Sequence, residues 1–156
     1  MLAADPRTPN LYMVWTWRQG SRGDLDISFR ASHDGGKTWN ERRVLNADGP
    51  GTAHQIDPGI SLAPNGRIDI AWYDGRSSAV PVDPTSSDLK GFQDVYCTSS
   101  LDQGRTFGPN VLVSDRTIDD SIGVFANNVS SHYNIGLAST DERVWLAWQD
   151  YRTAAP

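Results

Sequence analysis

The residues best suited to chemistry in this chain are carboxylates, guanidiniums and imidazoles set at the ends of apolar runs. Asp74 and Arg76, and again Asp150 and Arg152, form Asp-x-Arg pairs directly after such runs. An arginine fork bonds a carboxylate bidentately, so each arginine can hold either a bound acid or its own aspartate. Recurrence of the pair at matching positions favours an internal brace, with ligand contact as the alternative. Asp57 stands immediately before Pro58, where a carboxyl can fix a turn or move a proton. His54 and Gln55, and later His132, Tyr133 and Asn134, sit at the start of comparable apolar segments. Their imidazole, amide and phenol groups suit hydrogen bonding to a ligand or to the loop that carries them. The acidic residues Asp83, Asp88, Asp115, Asp119 and Asp120 lack the glycine-spaced pattern of a calcium loop. No metal and no cofactor is expected.

The elements that position these groups are short strands. Leu11 to Trp17, Asp26 to Ser32 and Arg42 to Leu45 form one series. Ile56 to Ala63, Arg67 to Tyr73, Asp94 to Ser99 and Asn110 to Val113 form a second, with Pro64-Asn65-Gly66 turning between its first two members. Tyr133 to Ala138 and Val144 to Gln149 begin a third. No segment has helical periodicity. Several strands are apolar on both sides, Val144-Trp145-Leu146-Ala147-Trp148 among them, which predicts sheets packed face to face.

An internal repeat organises the series. Ser32, Asp34, Gly36, Thr38 and Trp39 recur as Ser100, Asp102, Gly104, Thr106 and Phe107, 68 residues later, in the pattern Ser-x-Asp-x-Gly-x-Thr-aromatic. The same offset aligns Asp26-Ile27 with Asp94-Val95, and Val44-Leu45-Asn46 with Leu112-Val113-Ser114. The motif has the chemistry of a hairpin turn. Its Ser hydroxyl and Asp carboxylate accept backbone N–H bonds, its glycine takes a positive φ, and its aromatic residue folds back on the sheet. It is a structural staple, not a catalytic element. Two loops stretch the repeat beyond the ~40 to 50 residues of a four-stranded blade: Ser77 to Phe92 and Asp115 to His132.

The two motifs resemble the Asp boxes of the sialidase (BNR-repeat) superfamily, and Asp57 to Arg76 is similar to the corresponding strands of bacterial exo-α-sialidase or BNR-repeat glycosyl hydrolase proteins. The resemblance runs from Leu11 to about Arg152. It implies an all-β fold, a partial β-propeller of two to three four-stranded antiparallel blades out of six. Residues 11–46 would be a partial blade, 56–114 a complete blade and 133–152 the start of a third, the whole chain being a fragment of a propeller of about 400 residues. In a four-strand meander, turns alternate between two ends, and in sialidases the active site lies at the end without boxes. The resemblance therefore places His54, Gln55, Asp57, Asp74, Arg76, His132, Tyr133, Asn134, Asp150 and Arg152 at the ligand end. Arg18 falls there too, whereas Arg30 and Arg67 fall at the box end. Asp57 becomes the acid/base candidate and the others substrate-binding candidates. The family's Arg-Ile-Pro signature is absent. A polarised tyrosine nucleophile needs a Glu, and Glu41 and Glu142 both belong to the box end. A complete sialidase site is thus not expected within the chain.

Bulk properties exclude other classes. Nineteen acidic against 14 basic residues give a net charge of -5, without a basic run, which argues against a nucleic-acid partner. No apolar run approaches the ~20 residues of a membrane span. Cys97 is the single cysteine, expected as a buried strand thiol. Met1 to Ala4 lack the basic and apolar regions of a secretion signal, so the secreted or cell-surface location that the resemblance implies is not written in this chain. The expected partners are a glycan or glycoconjugate and the remaining blades of the parent chain. The expected function is glycoside hydrolysis on sialylated or related glycans. The alternatives are non-catalytic glycan or protein binding, or a structural repeat of a larger surface protein.

Overall fold

A computed structural model describes residues 1–18, 23–49, 53–78, 92–119 and 134–150. These residues form three antiparallel sheets and no helix. The first sheet runs β1 (Leu2–Ala4), β2 (Leu11–Arg18), β3 (Leu25–Ser32) and β4 (Arg43–Val44), in that spatial order. The second runs β5 (Gln55–Leu62), β6 (Ile68–Asp74), β7 (Phe92–Ser100) and β8 (Val111–Leu112), with β9 (Ile118–Asp119) also pairing β7. The third holds β10 (Gly136–Ser139) and β11 (Val144–Ala147). The chain is an all-β partial propeller in which consecutive meander sheets stack face to face.

Period-two alternation explains the stacking. On β6, Ile68, Ile70 and Trp72 point toward the first sheet and join Tyr12, Val14, Ile27 and Phe29 in one core. Ala71 and Tyr73 point the other way and meet Ile135, Leu137, Leu146 and Trp148 with Val95 and Ile118. All seven residues of β6 are therefore buried. Each large side chain so covered contributes ~1.5–3 kcal/mol, and the middle sheet collects this on both faces. Cys97 packs at the edge of the second core, where burial first and the Asp69 charge second push its thiol up.

The two Ser-x-Asp-x-Gly-x-Thr turns are built alike. The Ser32 hydroxyl accepts the Gly36 N–H (2.9 Å), while Asp34 takes the Thr38 N–H (2.9 Å) and hydroxyl (2.6 Å). Ser100, Gly104, Asp102 and Thr106 repeat these bonds at 2.9, 2.8 and 2.6 Å. Gly104 adopts φ 81° and lies against the Phe29 ring, so neither its backbone angle nor its surroundings admit a side chain. Phe107 packs edge-on to Phe29 of the neighbouring sheet, with ring centres 4.9 Å apart. The second turn thus also seals the joint between sheets, while Trp39 is half-buried at the first turn.

Four features depart from the sequence expectations. Leu2 to Ala4 supply an innermost strand, β1, that the pattern does not mark: three residues are too few to show alternation, and only pairing with Leu11, Tyr12 and Met13 reveals it. Phe92, read as the end of a loop, is the first residue of β7. The segment beginning at Asp115 contains β9, whose Ile118 is buried against the second core. Along β11 only one face is packed. Leu146 points into the core, and Trp145 is 52% exposed.

Thr38 and Thr106 hold their aspartates below the ordinary carboxylate range, Asp102 at about 2. The depressed folded value means that the stabilisation is present above pH ~4, the ordinary Asp value, and is lost as pH falls toward 2. Asp102→Asn should lower the urea midpoint at pH 7 and flatten its decline between those two pH values. A second expectation concerns Gly59, where a Cβ would collide with Leu137 and lie 2.9 Å from the Ile135 carbonyl. Gly59→Val should cost about 1–3 kcal/mol by urea denaturation, since a backbone oxygen cannot yield.

Candidate functional site

The turns joining β3 to β4, β7 to β8 and each first strand to its second all lie at one end of the stack. Arg67 marks that end: it pairs with Asp69 at 2.9 Å and donates to the carbonyls of Thr140, Asp141 and Arg143 in the β10–β11 turn. Glu41 and Glu142 belong to turns of the same end. The opposite end receives the starts of the innermost strands.

There a cleft of about 270 Å³ opens between the sheets. Met1, Val14, Trp15 and Thr16 line it from the first sheet, Asp57 and Pro58 from the second, and Asn134 and Ile135 from the approach to the third. Asp57 is exposed and sits in a bulge where the β5–β6 register slips between Ile56 and Gly59. Its φ is 50°, one of two positive values among the described non-glycine residues. A left-handed conformation is costly for an L residue, and a following proline disfavours it further. The conformation is held from the adjacent sheet, because the Asp57 N–H donates to Thr16 Oγ1 at 3.3 Å. Strain of this kind collects where a side chain must be aimed.

Asp74, Arg76, Gln55 and His54, at the same end, are engaged in internal hydrogen bonds. Asp74 is fully buried. It accepts bonds from the Arg76 backbone N–H (3.0 Å), from Arg76 Nε (2.9 Å) and Nη2 (2.6 Å), and from Trp72 Nε1 (2.9 Å). The Arg76 guanidinium also lies 4.1 Å from the centre of the Tyr96 ring. Gln55 donates to Asp48 at 2.8 Å and more weakly to Asp74 at 3.4 Å. His54 is buried, and its Nδ1 accepts the Leu25 N–H at 2.9 Å, which puts the ring proton on Nε2. That bond ties β5 to β3 across the joint.

The structure brings Asp57 and Asn134 together at the cleft and gathers Gln55, Asp74 and Arg76 into a separate buried network. Asp150 is half-buried, and Trp148 Nε1, two residues earlier in the chain, has no hydrogen-bond partner among the described residues, unlike Trp72 Nε1 on the preceding sheet. His132, Tyr133 and Arg152 lie outside the described residues.

Sequence reasoning missed Thr16, Trp15 and Ile135 as cleft residues. It also missed the braces at the starts of β3 and β7, although their signal was present in the repeat. Asn46 donates to Asp26 and accepts the Ile27 N–H, both at 2.9 Å. At the aligned positions Ser114 donates to Asp94 at 2.9 Å and accepts the Val95 N–H at 3.2 Å. Burial, only partly offset by the Asn46 amide, pushes the Asp26 carboxyl above its ordinary value.

No established family matches the chain, and no curated protein does. Among solved structures it is similar to a Hadza microbial sialidase, with a TM-score of 0.50 and 17% identity, over 67% of this chain. The chain spans 23% of that protein's length. At such identity the likeness shows a sialidase-like fold, in keeping with the stacked antiparallel sheets.

Removing the Asp74 carboxylate leaves Arg76 without its partner in a largely buried site. Asp74→Ala should therefore destabilise the protein by about 3 kcal/mol in urea unfolding. An equally stable variant would mean that solvent replaces the brace.

Proposed function

We propose that this chain is part of a sialidase-like glycoside hydrolase propeller whose glycan enters the cleft at Asp57, at the end opposite the box turns. The observation that carries the reading is the exposed Asp57 carboxyl, held on a left-handed bulge of an innermost strand where three sheets meet. In this reading Asp57 is the general acid that protonates the leaving oxygen, with Asn134 beside the bound sugar. Sialylated or related glycans are the substrate class, and a secreted or cell-surface setting belongs to the same proposal.

Binding without catalysis is the second reading, and a specific arrangement favours it. The Arg76 fork is already committed to Asp74, so it is not poised for a substrate carboxylate, and both Glu residues lie at the other end. His54 likewise serves a joint between sheets.

The test is release of fluorophore from a sialoside panel, paired with glycan-array binding of the same preparation. As a hydrolase, the protein should release fluorophore, and Asp57→Asn should reduce kcat by ~10²–10⁴ with little change in KM, the usual range for loss of a general acid. Array binding without release by the wild type would replace the hydrolase with the binding module, and absence of both would end the glycan reading.

A further inference from the structure

Side chains of β2 alternate between two faces, and Tyr12 and Val14 are the ones that enter the core between the first and second sheets. The next residue on that face is Thr16. The face is therefore apolar along its middle and ends, where the cleft opens, on a hydroxyl. Thr16 Oγ1 accepts the Asp57 N–H at 3.3 Å, from one sheet to the next.

Register identifies the counterpart of Thr16 on the second sheet. Thr16 pairs with Ile27 and Tyr73 pairs with Val95, and Ile27 and Val95 are 68 residues apart, the spacing of the two box turns. Tyr73 faces the third sheet as Thr16 faces the second, and its hydroxyl oxygen accepts the Gln149 N–H at 2.9 Å. Both sheets thus send a hydroxyl oxygen across the joint to a main-chain N–H of the next sheet. The two side chains differ in reach. The phenol extends to Gln149, beyond the end of β11, whereas the short threonine meets the innermost strand β5 at its bulge.

We infer that Thr16 is the positioning residue for Asp57, its hydroxyl oxygen fixing the direction in which the bulge presents the carboxyl. The inference rests on the acid role proposed for Asp57. Thr16 acts through the main chain: its oxygen anchors the peptide plane before Asp57, and Pro58 narrows the angle after it, so the Cα–Cβ bond between them has little freedom. At φ 50° that bond is aimed as the cleft requires. Without the anchor, the preference of a pre-proline residue for extended backbone would swing the carboxyl away. Threonine suits the task because a β-branched side chain in a strand is stiff at χ1, which holds the oxygen in place.

Kinetics of the full chain on a fluorogenic sialoside, with hydrogen exchange at the Asp57 amide, test the inference. Thr16→Val removes the oxygen and keeps the branched shape. It should lower kcat about 10–100-fold with KM unchanged, the scale of a ~1 Å misplacement, and the Asp57 amide should exchange faster. Thr16→Ser, which keeps the oxygen, should recover both. In an Asp57→Asn background Thr16→Val should cost no further kcat, because a residue acting through Asp57 has nothing left to position. A generally weakened fold would lower kcat equally in both backgrounds. Wild-type kcat in Thr16→Val, an equal loss in the Asp57→Asn background, or an Asp57 amide that exchanges at the wild-type rate would each overturn the inference. If the wild type releases no fluorophore the acid reading falls separately; faster exchange in Thr16→Val then still shows the anchor, and unchanged exchange removes it.

Discussion

Burial of the middle sheet on both faces is the constraint from which the rest of the structure follows. An antiparallel sheet with one wet face can place polar residues there at no cost, but β6 has no wet face along its length. Its two aspartates must therefore be satisfied internally, because an isolated buried carboxylate costs several kcal/mol. Asp69 is satisfied by Arg67 on its own sheet, by the Ser99 hydroxyl (2.6 Å), and by the Ser139 hydroxyl of the third sheet (2.7 Å). Asp74 is satisfied by Arg76, Trp72 and Gln55. Each network lies toward one end of the strand, so the apolar middle holds the sheets together and the polar ends fix how they sit.

The two ends use their polar groups differently. At the box end, side chains close onto main-chain carbonyls and amides of the next turn: Arg67 and Asn65 both reach the β10–β11 turn, and Arg43 reaches the Arg105 carbonyl. This end is sealed by hydrogen bonds between turns. At the other end some braces are made within each sheet's own loops, as in Asp26 with Asn46 and Asp94 with Ser114, while His54 and Asp57 bond across the joint to Leu25 and Thr16. The innermost strands there part enough to leave the cleft.

Much of the fold was legible because its signals are local. A Ser, an Asp, a Gly and a Thr at fixed spacing make their bonds within eight residues, and period-two apolar runs mark strands wherever they exceed four or five residues. Strands β1 and β9 escaped because two or three residues carry no period, and only their partners Met13 and Gln93 define them. Site residues were less legible for a related reason. Thr16 matters through a contact with a residue 41 positions away, and nothing about a threonine in a strand announces it. Asp74 and Arg76 were visible as a pair, but their saturation depends on Trp72, two residues back on β6 itself, and on Gln55, which reaches the same carboxylate only once β5 lies beside β6.

At the Asp57 bulge local preference and tertiary structure disagree. A residue before proline favours extended backbone, and a continuous β5–β6 ladder would have given it. Instead the register slips, Asp57 takes a left-handed φ and its side chain leaves the ladder for the cleft. A left-handed non-glycine residue costs of order 1–3 kcal/mol, and the Thr16 bond offsets part of that. Gly59 immediately after the bulge must also accept Leu137 from the next sheet, which pins β5 on the far side of the slip. The bulge is therefore clamped between the first and third sheets, and the direction of the Asp57 carboxyl is set by the stacking of all three. A chain needing only a turn at this point has cheaper ways to make one, since glycine adopts the same angle without penalty. Aspartate at this position adds a carboxyl at the mouth of the cleft, and that is the physical ground for the acid role proposed for it.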